Sequence, residues 1–335
     1  MFVRKRFFFP LRFSLLNPFL VVMSEPSVLG DAKVLFSNSV YAGPEYWAGL
    51  GTLFLVVAIS ALFNVFTAPY FIADGVLGAL VCIWILTVVC VVSNLILVFS
   101  DPGIVPRSKN YRQQYDELKR SFRERPPPMV TENAIRTFPV RSKYCEACGF
   151  YRAPRVTHCS SCDTCMEKFD HHCPWLGTCV ARRNYGTFLV FMFSLTLVTL
   201  GTIGVSIAHL ALYTLDEYNS GSASSMSHAI RLSLAGNIPV AIVCGMCILF
   251  MWFIVGLTGY HCFLVFNGMT TYEHIRGAFD SLGNPFDRGA WWKNFVWIYS
   301  QSGRESWVDV KTKTCSIPAI AESRLVHIRQ PDSVM

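Results

Sequence analysis

The chain has 335 residues, of which 52% are hydrophobic and 15% charged, with a mean hydropathy of +0.38. An ordinary globular domain carries about 25% charged residues, so two soluble domains, which the length alone would permit, are excluded. The formal net charge of +7 is unevenly spread: between Tyr46 and Ser100 the only charged residue is Asp74, and the loop that follows is dense in Lys and Arg. The chain reads as an all-α integral membrane protein.

Residues 1–45 form a basic and then apolar tail. Arg4-Lys5-Arg6 precedes an apolar stretch that imitates a signal peptide, but Pro10, Arg12, Asn17 and Pro18 interrupt it and no small-residue cleavage site follows. The reading taken is a cytosolic tail lying on anionic lipid. Residues 24–43 read as a polar lead-in without chemistry. Four apolar runs, at 47–67, 76–99, 187–213 and 238–262, each exceed the roughly 20 residues that cross a bilayer as a helix. Five Lys and Arg precede the first span, fifteen fall in 101–186, one lies between spans three and four, and eight follow the fourth. The positive-inside rule then places both termini and the middle loop in the cytosol. A reducing compartment also suits the thirteen cysteines, favouring metal ligation or catalysis over disulfides.

Span two ends at Asp101-Pro102-Gly103, whose Pro and Gly stop a helix. Residues 101–139 read as a solvated connector with a short helix near 110–122. The segment 140–186 holds seven cysteines and three histidines. Cys145-x2-Cys148 and Cys159-x2-Cys162 are metal knuckles, and Cys162-x2-Cys165 offers a third; His158, His171, His172, Cys173 and Cys179 complete the set. A structural zinc takes four protein ligands, so two sites use eight of these ten groups. A spare cysteine and a spare histidine close together are a nucleophile and its base. A C2H2 nucleic-acid finger needs two histidines three to five apart, and His171 and His172 are adjacent. No nucleic-acid partner is expected.

These residues carry a resemblance. The run Cys145-x2-Cys148-x9-His158-Cys159-x2-Cys162-x2-Cys165-x4-Asp170-His171-His172-Cys173-x5-Cys179 resembles the cysteine-rich domain of the DHHC protein S-acyltransferases (palmitoyltransferases). The resemblance implies a small cytosolic two-zinc domain between spans two and three. One structural zinc would take Cys145, Cys148, His158 and Cys165, and the other Cys159, Cys162, His172 and Cys179. It leaves Cys173 to accept an acyl group, with His171 as base and Asp170 to orient it. Trp175 would border the acyl chain. Acyl-CoA, such as palmitoyl-CoA, would be the donor, and cysteines of membrane-associated proteins the acceptors, with the lipid bilayer as the shared platform. Phosphates on the donor call for cations; Lys143, Arg152 and Arg155 flank the first knuckle and are the candidates. Thr178, Ala181 and Gly186 depart from the commoner family residues, and Gly186 leaves one local charge contact in doubt.

The remaining organisation is spans three and four within 187–266, an inert Ser-rich lumenal loop at 214–236, and a cytosolic C-terminal region at 267–335. There Thr270-x-x-Glu273 is a capping box and, with Thr271, resembles the family's Thr-Thr-x-Glu motif; Asn294 resembles its C-terminal asparagine, which ties that region to the spans. Gly201, Gly204 and Gly245 are small residues at which helices could approach. The competing reading is a zinc-stabilised membrane adaptor without activity, against which the intact Asp170-His171-His172-Cys173 run argues.

Overall fold

The computed structural model describes residues 30–35, 40–107, 130–135, 138–279, 283–301, 308–309 and 314–315. The tail at 1–29 and the expected helix near 110–122 lie outside them. The helices are α1 (Tyr46–Phe66), α2 (Ala68–Ala73), α3 (Gly78–Phe99), α4 (Tyr185–Asn219), α5 (Met226–Gly236), α6 (Ile238–Phe266), α7 (Thr271–Ile275) and α8 (Trp291–Gln301). Four of them, α1, α3, α4 and α6, are long and apolar enough to cross a membrane. α4 packs against α3 and α6, and α1 packs against the same two. Gly201 supports one of these approaches, since a side chain there would meet Ile83 of α3 at 3.0 Å, whereas nothing lies within 4 Å of Gly204 or Gly245. The outer faces remain apolar and open: Phe54 and Trp252 are each 74% exposed, as surfaces in contact with lipid would be.

The spans begin and end close to the expected residues, with one exception. α4 has 35 residues, about 52 Å at 1.5 Å per residue, well beyond the ~30 Å of a bilayer core. Its far end is capped by α2 and α5: Tyr70 Oη donates to Asp216 at 3.0 Å and Ser233 Oγ to the Leu210 carbonyl at 3.0 Å. The expected loop at 214–236 is therefore largely helical. Ser225, whose side chain accepts from the His228 amide, starts α5.

Between α3 and α4 the chain forms short ladders. β3 (Ile104–Val105), β9 (Thr164–Met166) and β8 (Thr157–Cys159) make one sheet. Hairpins pair β4 (Val130–Ile135) with β5 (Phe138–Ser142), β6 (Tyr144–Cys145) with β7 (Phe150–Tyr151), and β10 (His171–Cys173) with β11 (Thr178–Val180). The connector thus contributes the β4–β5 hairpin, which its polar composition did not foretell. Residues 24–43 are also more than a lead-in. β1 (Lys33–Leu35) and β2 (Val40–Ala42) pair, and Tyr41 is buried with Cys159, Cys162 and Cys179. Asp31 N donates to the Cys162 carbonyl at 2.9 Å and Glu45 N to the Gly177 carbonyl at 3.1 Å. The start of α1, the ends of α3 and α6 and the start of α4 therefore meet the cysteine-rich segment on one side of the bundle.

Candidate active site

The β10–β11 hairpin sorts the chemistry. His171 pairs with Val180, His172 with Cys179 and Cys173 with Thr178. Successive strand side chains point to opposite faces, so His171 and Cys173 share one face and His172 takes the other. The turn needs Gly177, whose φ is +64° and where a side chain would meet the Glu45 carbonyl within 1.8 Å. Leu176, Val180, Tyr185 and Phe188 bury the hairpin into the ends of the spans.

On the first face, Asp170 is 1% exposed. Its Oδ2 lies 2.7 Å from His171 Nδ1. Thr271 donates twice to the same carboxylate, from its amide to Oδ1 at 2.9 Å and from its hydroxyl to Oδ2 at 2.8 Å. Burial raises the Asp170 carboxyl, but the hydrogen bonds and charge around it win and hold it below the usual range. Burial likewise opposes the charged form of His171, and hydrogen bonds with Asp170 and Cys173 overcome it, pushing the imidazole up to about 10. His171 and Cys173 open onto an apolar cavity between the spans, lined by Leu55, Phe188, Met192, Phe253 and Leu257 among others. Trp175 stands at its edge, 53% exposed, with its carbonyl accepting from Thr52 Oγ1 at 2.6 Å.

On the second face, the ligand atoms of Cys159, Cys162, His172 and Cys179 lie within 4.8 Å of one another. Those of Cys145, Cys148, His158 and Cys165 form an equivalent group. Within the groups, sulfur and Nδ1 atoms stand 3.4 to 3.7 Å apart. Zinc bonds of about 2.0 to 2.3 Å give tetrahedral edges of about 3.5 to 3.8 Å, so both donor sets fit a closed Cys3His zinc site. β8 feeds both clusters, because His158 and Cys159 are neighbours on one strand and face opposite ways.

The description DHHC palmitoyltransferase matches residues 139–278. Palmitoyltransferase ZDHHC9 of Bos taurus is 34% identical over 253 residues, 72% of this chain and 67% of the relative. The chain belongs to the DHHC palmitoyltransferase family. Palmitoyltransferase ZDHHC18-B of Danio rerio is 35% identical over 255 residues, and ZDHHC9 of Danio rerio 35% over 246. The chain spans 63% and 61% of the length of those two relatives.

Residues outside the cysteine-rich run brace it structurally. Asp101 accepts from the Gly103 and Ile104 amides and from Arg183 Nη1 at 2.7 Å. Asn184 bridges the Ala181 amide and the Cys179 carbonyl, joining one cluster to α4. Thr270 and Glu273 form the capping box of α7. Asn294 donates to the Phe266 carbonyl at 3.0 Å and to Asp287 Oδ1 at 2.9 Å, tying α8 to the end of α6.

The three cations differ in position. Lys143 is exposed and Arg152 half-buried. Arg155 holds Glu273 through two hydrogen bonds of 2.6 and 2.5 Å and lies over the Phe286 ring. That pair joins α7 to the cysteine-rich domain and neutralises the charge of Arg155. Two residues escaped the sequence reading. Lys168 is buried below Trp297, 4.4 Å from the ring centroid, and burial and the nearby Arg155 lower it to about 7. His261, inside an apolar helix, packs against His171 with ring centroids 5.9 Å apart. Its only signal in the sequence is a histidine within an otherwise apolar span.

Proposed function

We propose that the chain is a protein S-acyltransferase that moves a fatty acyl group from acyl-CoA to cysteines of membrane-associated proteins. The observation that carries this reading is the division of labour in β10: His172 joins a Cys3His group that could hold a metal ion, while His171 and Cys173 face an apolar cavity. In the first step His171 takes the thiol proton of Cys173, and the thiolate sulfur attacks the donor's thioester carbonyl. The bond from that carbonyl to the CoA sulfur breaks, and CoA leaves with the proton from His171. In the second step His171 takes the proton of a substrate cysteine, whose sulfur attacks the Cys173 thioester and departs with the acyl group. Asp170, gripped by Thr271, orients His171 and stabilises its charged form. The acyl chain would occupy the apolar cavity beside Trp175. Lys143 and Arg152 remain to meet the donor's phosphates. Zinc, when bound in the two clusters, supplies no chemistry, since all four positions at each are filled by protein ligands.

The basic loops support a cytosolic position for this side of the bundle, the side from which acyl-CoA would reach Cys173. The experiment is incubation of the purified protein with labelled palmitoyl-CoA. Label should appear on the wild type, be released by hydroxylamine and be absent from Cys173→Ser. A wild type that takes no label would leave the adaptor reading instead.

A further inference from the structure

Asp170 fixes where one nitrogen of His171 lies, but not how the ring is held. The terminal torsion of histidine is broad and roughly two-fold, so its own rotamer does not set the plane of the imidazole. β10 offers little help, because it belongs to a two-stranded ladder at the edge of a domain without a sizeable core. The His171 side chain also retains 27% exposure. Neighbours outside the cysteine-rich domain add to the hold that Asp170 has on the ring.

Two rings do so. Phe188 meets His171 edge-on at 5.6 Å and 72°, and His261 meets it at 5.9 Å and 40°. Phe188 and His261 pack on each other at 4.8 Å and 73°, closing a three-ring cluster. Phe188 is apolar, but His261 is 2% exposed, and a buried imidazole is costly unless its polar atoms meet partners. One partner is Tyr185, whose hydroxyl lies 3.1 Å from His261 Nδ1. A ring nitrogen of His261 also lies within 4.8 Å of both an Asp170 carboxylate oxygen and a His171 ring nitrogen. Both Asp170 oxygens accept hydrogen bonds from Thr271 or pair with His171, and the hydrogen bond found for His261 is the one with Tyr185.

We propose that His261, tethered by Tyr185, is a positioning residue of the acyl-transfer site, holding the His171 ring so that the nitrogen not bonded to Asp170 faces Cys173. The end of α6 and the start of α7 then grip the base from two directions: His261 against the imidazole and, ten residues later, Thr271 against the carboxylate. A membrane span thereby sets the geometry of chemistry performed in the cysteine-rich domain. The inference rests on the acyl-transfer reading above.

The test is single-turnover formation of the hydroxylamine-sensitive acyl-enzyme, measured over a range of labelled palmitoyl-CoA concentrations on the full chain in nanodiscs. His261→Leu keeps the volume and removes the polar edge. It should lower the maximal acylation rate by about 10- to 100-fold, the scale of a small misplacement of a reacting group. The half-saturating donor concentration should stay within about twofold, because donor binding is not what the residue serves. Tyr185→Phe, which removes only the tether, should lower the maximal rate by a smaller factor, and should add nothing on the His261→Leu background because the two act as one unit. An unchanged maximal rate in His261→Leu overturns the proposal, as does a loss carried by half-saturation alone. If His261→Leu does not fold, Tyr185→Phe decides: a reduced rate at unchanged half-saturation upholds the proposal and an unchanged rate overturns it. A wild type that takes no label strikes instead at the acyl-transfer reading itself.

Discussion

Thr271 is separated from Asp170 by 101 positions in the chain, yet its amide and hydroxyl make two hydrogen bonds to that carboxylate, at 2.9 and 2.8 Å. Hydrogen bonds to a buried charged group contribute about 1.5–3 kcal/mol each. Thr271→Val removes the hydroxyl and keeps the amide, so it should slow acyl-enzyme formation by about 10- to 100-fold, whereas Thr271→Ser should stay near wild type. Rapid-quench labelling with palmitoyl-CoA measures both, and a Val variant as fast as wild type would remove Thr271 from the site. At this scale the sequence was readable where residues are neighbours. Ligand counting left one cysteine and one histidine over, and the alternation His171, His172, Cys173 already encodes which faces they take if the segment is a strand. Thr271 and His261 reach the site only through the packing of α7 and α6; the Thr-Thr-x-Glu resemblance singles out Thr271, whereas neither spacing nor residue type announces His261.

Arg155 and Glu273 join two elements, the cysteine-rich domain and α7, through a pair whose side chains are 7% and 10% exposed. Arg155 takes a positive φ of 66° to reach it, a conformation uncommon for a residue other than glycine. Breaking a buried pair by neutralising one partner costs about 3–5 kcal/mol, because the other charge is left buried and alone. Glu273→Gln isolates this effect, since glutamine still completes a capping box with Thr270. The variant should melt well below wild type in a thermal scan, and adding Arg155→Met should recover part of the loss. Equal melting of wild type and Glu273→Gln would show that the pair does not hold the two elements together. The capping box itself was legible as a four-residue pattern. Its second employment, as the anchor for Arg155, was not: the place of that arginine beside the first knuckle had made it a candidate for the donor's phosphates. The same limit hid α5, whose Ser-rich lead-in reads as loop until the extended end of α4 provides a face for it to cover.

The molecule as a whole divides its stability between two solvents. The four long helices satisfy their backbone polar groups internally, as a bilayer demands, and each was visible as an apolar run. The cysteine-rich domain has neither lipid nor a large core. Its buried side chains are to a considerable extent the ligand cysteines, with Cys145, Cys148 and Cys165 in one cluster and Cys159, Cys162 and Cys179 in another. Such a segment would fold on a bound metal, with binding free energy becoming folding free energy. Because the ligands cross, with β8 serving both groups, loss of either ion should release the whole domain, including β10. Strong chelation in nanodiscs should therefore abolish acyl-enzyme formation and expose cysteines to alkylation, while the helical circular-dichroism signal is largely retained. Metal analysis of the untreated protein should return about two zinc ions per chain, as two closed sites require. Acylation that survived removal of both ions, with the domain still resistant to protease, would mean that the sulfur clusters are held by packing alone. The placement of Cys173 at the cavity would then need another cause.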